Sequence, residues 1–62
     1  MSGEIDTTND HLVGIQGGRV VVVMPPLRPM AYAEALRLAA WIVAIVDDDE
    51  AFNAILGAVR ST

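Results

Sequence analysis

Two stretches of this chain are too apolar for its size. Val20–Val23 is an unbroken valine run, and Leu36–Val46 carries a single charge, Arg37, in eleven residues. The whole chain has 62 residues, 53% of them hydrophobic. A domain of about 60 residues buries only about 60% of the surface its extended chain exposes. Ordering costs about 1.5 kcal/mol per residue, so such a domain starts near zero net stability. No cysteine is present to cross-link it, and His11 is its only histidine, which removes the usual structural zinc sites. A packed apolar interior is the remaining source of stability. The two stretches hold more than one small interior can enclose. They predict a second body to share it, most simply another copy of the chain.

The formal charge is −4. Arg19, Arg28, Arg37 and Arg60 are the only basic residues, and they are scattered. Nucleic-acid binding needs clustered cations against phosphate, so the charge pattern disfavours nucleic acid as a partner. An anionic membrane surface is disfavoured for the same reason. The longest wholly apolar run, Leu38–Val46, is far short of the roughly 20 residues of a membrane span. Met1–Asp10 is polar and acidic and has no secretory pattern, so the expected location is the cytoplasm.

His11–Met24 predicts a β-hairpin. Gly17 and Gly18 suit a two-residue turn in which both central residues take positive φ. That turn sets Gln16 opposite Arg19, Ile15 opposite Val20 and Val13 opposite Val22, with Leu12 opposite Val23. Side chains alternate along a strand, so Val13, Ile15, Val20, Val22 and Met24 share a core face. The other face is polar only near the turn. On its far half, Leu12, Val21 and Val23 predict a second covering surface.

Three prolines in Pro25–Pro29 end the second strand and stiffen the connector. A helix is predicted over about Ala31–Val46, rich in alanine and leucine, with Glu34 in its first turn. Glu34 and Arg37 mark its solvent side. Leu38, Trp41, Ile42 and Ile45 form the apolar surface expected to build the shared core, with Trp41 as its aromatic anchor. Asp47 and Glu50 have the spacing of a capping box for a second helix, about Asp48–Val59. Phe52, Ile55, Leu56 and Val59 recur there at i, i+3, i+4 and i+7. The short link predicts two antiparallel helices in contact.

The expected fold is therefore α+β: a β-hairpin followed by a helical hairpin, β-β-α-α, completed by oligomerisation. The hairpin's core face is expected on the helical pair. Residues 1–10 form a flexible acidic tail, and 11–60 a single domain.

Most familiar chemistry is absent. The acids of Asp47–Glu50 are consecutive, whereas a calcium loop needs oxygen ligands at alternate positions and a turn glycine. Gly14–Gly18 is followed by a strand, whereas a phosphate loop is followed by a helix. His11 has no partner for acid–base work in its immediate sequence. The reading is non-enzymatic, with no metal and no cofactor.

The stretch Val13-Gly14-Ile15-Gln16-Gly17-Gly18-Arg19-Val20-Val21-Val22, followed by Ala35-Leu36-Arg37-Leu38-Ala39-Ala40-Trp41, resembles small uncharacterised proteins of actinobacterial phages. The resemblance spans about residues 10–50. In that pattern the helix opens with a Thr-Pro pair followed by acids, where this chain has Ala31, Tyr32, Ala33 and Glu34. The resemblance implies a phage origin, hence a bacterial cytoplasm, and no known activity. The expected function is a small phage interaction protein, a homodimer or higher oligomer. Its interface is expected to use Leu38, Trp41, Ile42, Ile45, Leu12, Val21 and Val23, and a host or phage protein is a further partner. Two alternatives are a DNA-binding regulator of the strand-helix-helix kind and an acidic mimic of DNA.

Overall fold

The computed structural model describes residues 4–62. It has β1 (Val13–Gln16), β2 (Arg19–Val22), α1 (Tyr32–Val46) and α2 (Asp49–Arg60). This is the expected α+β order. The strands pair antiparallel in the expected register, Val13 with Val22 through Gln16 with Arg19. Gly17 and Gly18 both take positive φ, +61° and +74°, as a primed two-residue turn requires.

Burial follows position along the hairpin. Val13, at its base, is 6% exposed and is the only buried residue among those described. Val22 opposite it is half-buried, whereas Ile15 and Val20 near the turn are exposed. Only α1 packs on the hairpin, and it covers the base alone. Of the predicted core face, Val13 and Val22 form a core, whereas Ile15 and Val20 near the turn and Met24, 56% exposed where the chain enters the proline connector, are free surface.

The ladder ends at Val13 for a specific reason. Leu12 takes a left-handed conformation, φ +50°, which breaks the regular strand geometry, although the Leu12 carbonyl still accepts from the Val23 amide at 3.3 Å and the His11 carbonyl from the Met24 amide at 3.0 Å. Asn9 then folds back on Val13. Its Oδ1 accepts from the Val13 amide at 2.9 Å, and its Nδ2 donates to the Val13 carbonyl at 3.1 Å. Counting from the turn, these Val13 groups point away from β2. The Asn9 side chain therefore acts as a one-residue third strand on the β1 edge.

α1 has no side-chain N-cap: Ala31 holds the position, and its carbonyl receives the first helical bond from the Ala35 amide at 3.0 Å. The helix is apolar nearly all round in sequence, but its burial is one-sided. Glu34, Ala35, Leu38, Trp41, Ile42 and Ile45 are half-buried, while Leu36, Ala40, Ala44 and Val46 are exposed.

The cap of α2 lies one residue from the predicted box. Asp47 ends α1 in the left-handed conformation, φ +58°, with its amide donating to the Val43 carbonyl at 2.9 Å. Asp48 becomes the N-cap, and its Oδ1 accepts from the Ala51 amide at 3.0 Å. Asp47 is thereby spent on ending one helix and cannot start the next. Glu50 falls in the first turn, where the helix dipole favours it but no reciprocal cap bond forms.

The expected packing of the two helices against each other does not develop. α2 packs substantially on neither α1 nor the hairpin. Its apolar stripe is open at Ile55 and Val59, 63% and 59% exposed, less so at Phe52, and half-buried at Leu56. The radius of gyration is 13.2 Å, against about 10.6 Å for a compact chain of this length.

Candidate functional site

Three residues on one line of α1 organise the polar surface of the molecule. Glu34, Arg37 and Trp41 are spaced i, i+3 and i+7, which aligns them on a helix face. Each meets the segment before the hairpin. His11 Nε2 lies 2.8 Å from Glu34 Oε2. Arg37 donates from Nε and Nη2 to Asp10 Oδ2, at 3.1 and 2.8 Å. Trp41 Nε1 donates to the Thr7 carbonyl at 3.0 Å. As α1 runs from 34 to 41, the opposing segment runs from 11 to 7, so residues 6–11 form an antiparallel strap along the helix.

This strap covers the second half of the segment expected as a flexible tail. Met1–Gly3 of that tail lie outside the described residues. From Asp6 onward the chain is joined to the domain, and the tail boundary at residue 10 has no structural counterpart. Glu34 and Arg37, expected on a solvent side, instead face the strap and are half-buried. The sequence held one signal for this. Two charged groups and an indole donor at i, i+3 and i+7 need partners, and Asp6, Asp10 and His11 supply complementary ones.

The electrostatics of the strap follow from its bonds. The second ring nitrogen of His11, Nδ1, lies 2.5 Å from the Met24 carbonyl. A carbonyl only accepts, and so does an ionised carboxylate, so the two contacts favour the imidazolium form, in which both ring nitrogens donate. The Met24 carbonyl above all, with Glu34 and Asp10 adding, raises the His11 pKa above its ordinary value. The Thr8 hydroxyl and amide lower the Asp6 carboxyl, with a smaller contribution from Arg37, 3.5 Å away. Asp10 keeps the Arg37 guanidinium more firmly charged.

With both ring nitrogens engaged, His11 acts as a pin between strap, connector and helix. Among the described residues, no group of three or more His, Cys, Asp or Glu could hold a metal ion. Among the described residues, no helix is long and apolar enough to cross a membrane.

Two grooves flank the strap. An apolar one of about 430 Å³ lies between strap and outer helix face, lined chiefly by Ile5, Leu36, Ala40, Trp41 and Ala44. A more polar one of about 470 Å³ lies between His11, Glu34 and the proline connector.

The residues expected at an interface divide into two groups. Leu38, Trp41, Ile42 and Ile45 are half-buried on α1. Leu12 and Val23 at the hairpin base are exposed, and Val21 is half-buried. The outer edge of β2 is open, with the main-chain groups of Val20 and Val22 turned away from β1. The α2 stripe that periodicity foresaw is a further exposed apolar surface, open chiefly at Ile55 and Val59. Compared with known proteins, the chain matches no family model, no curated protein and no solved structure.

Proposed function

We propose that this chain is a small, non-enzymatic interaction protein that works as a homodimer or higher oligomer. One observation carries the reading. The chain exposes 5206 Å². A compact monomer of its 6.6 kDa exposes about 3,900 Å². The excess, about 1,300 Å², exceeds the roughly 800 Å² that each partner contributes to a standard interface. Large apolar side chains are exposed along the whole chain, among them Ile5, Leu27, Tyr32 and Leu36, with Ile15 near the hairpin turn and Ile55 and Val59 on α2.

The charges argue for a protein partner over nucleic acid. Arg37 is committed to Asp10 and Asp6. That leaves Arg19 on β2, Arg28 in the connector and Arg60 on α2, each on a different element. The acids divide similarly: Asp6, Asp10 and Glu34 are paired in the strap, so they do not extend the Asp47–Glu50 cluster into a stripe resembling DNA. A host or phage protein as second partner, and a role in a bacterial cytoplasm, rest on the sequence resemblance of Val13–Val22 and Ala35–Trp41.

Sedimentation equilibrium across the micromolar range tests the proposal. A dimer or larger species with a concentration-dependent mass is expected. A folded monomer at every concentration would remove the reading.

A further inference from the structure

We infer that α2 is the homodimerisation helix, packing its apolar stripe antiparallel against the same stripe of a second copy. This deepens the reading of a self-associating protein and rests on it. Phe52, Ile55, Leu56 and Val59 lie on one face of a helix that packs extensively on no other element of its own chain; Ile55 and Val59 are well exposed, Phe52 less so, and Leu56 is half-buried. The stripe is symmetric about its centre. Antiparallel pairing there sets Phe52 opposite Val59 of the second copy and Ile55 opposite Leu56, so large meets large along the whole contact.

Charge selects this orientation. The acids Asp49 and Glu50 occupy the first turn of α2, and Arg60 the last. Antiparallel pairing brings each Arg60 to the acidic end of the other helix and opposes the two helix dipoles favourably. Parallel pairing would instead bring two acidic clusters together. The same argument favours a second copy as occupant, because the face complements itself end to end. The pairing is isologous, so it closes as a two-fold dimer.

The chain has no cysteine of its own, which permits a direct test on the full-length protein. Phe52→Cys and Val59→Cys variants are mixed and mildly oxidised. A mixed disulfide in large excess over Phe52→Cys pairing with itself is expected. Self-pairing of Phe52→Cys as the main product would overturn the antiparallel arrangement. A dimer in sedimentation that yields no disulfide through either position would overturn the assignment to α2 while leaving self-association standing. A monomer throughout would end both.

A charge series checks the same contact without touching the apolar face. Arg60→Glu should weaken dimerisation by roughly tenfold, since it replaces two symmetric attractions by two repulsions. Adding Glu50→Arg in the same chain should restore it. Failure of the second change to rescue the first would count against the pairing.

Discussion

Trp41 donates its indole N–H to the carbonyl of Thr7 across 34 residues of sequence, at 3.0 Å. It is the last rung of the strap. With the two rungs before it, at Arg37 and Glu34, it ties a polar N-terminal segment to the one helix that packs on the hairpin. The indole also lines the apolar groove beside the strap. One side chain thus holds the segment in place and shapes the surface next to it.

Removing that donor should loosen the strap. Trp41→Phe keeps an aromatic ring but loses the N–H, and should cost about 1 kcal/mol in urea unfolding. Amide exchange at Thr7 and Thr8 should quicken more than exchange in β1. Unchanged exchange in the strap would show that the bond contributes nothing there.

The histidine rung should make stability depend on pH with a definite sign. Folding raises the His11 pKa above 6.5. Its contribution is therefore complete below 6.5 and is lost as pH rises through the folded value. Asp6 behaves oppositely. Its pKa is lowered from 3.8, so its contribution is present above that value and lost on acidification through the folded one. NMR titration should find the His11 midpoint above 6.5, and His11→Gln should abolish the fall in stability on that side. A midpoint at or below 6.5 would contradict the double-donor geometry.

The Asn9 clamp should matter more than its place outside the sheet suggests. Asn9→Ala leaves the Val13 amide and carbonyl without their side-chain partners beside the one buried residue, at a cost of about 1–3 kcal/mol. Asn9→Asp keeps the acceptor for the Val13 amide but sets a carboxylate oxygen against its carbonyl. Chemical denaturation should rank the variants below the parent chain, and equal midpoints for all three would show the clamp to be idle.

The two adjacent aspartates between the helices should respond differently. Asp48→Ala removes the cap bond to Ala51 and should cost about 1 kcal/mol, visible as lost helicity in α2. Asp47→Gly relieves the left-handed cost of a side chain, about 1–2 kcal/mol, against the greater entropy of glycine in the unfolded chain, about 0.5–1 kcal/mol, and should be neutral or slightly stabilising. If Asp47 proved the more damaging site, the cap would belong to it after all.

The hairpin was legible almost residue by residue. Gly17 and Gly18 admit positive φ at both turn positions, and that requirement alone sets the register from Val13 to Val22. Both helices were legible too, from composition in α1 and from the i, i+3, i+4, i+7 stripe in α2. The cap was misjudged by one position. Asp47 and Asp48 are chemically equivalent in sequence, and only the chain's exit from α1 decides which of them turns left-handed.

What the amino-acid order determined by itself is therefore the set of elements and their local pairing, because periodicity and φ preference act within a few residues. Tertiary structure alone decided where the polar N-terminal segment lies and that α2 stands apart. The strap joins residues 23 to 34 apart, such as His11 with Glu34 and Thr7 with Trp41, and no local preference encodes contacts at that separation. The α2 stripe announced that it needed a partner. Whether that partner was α1 depended on how Asp47 and Asp48 redirect the chain, a property of backbone angles in the folded molecule.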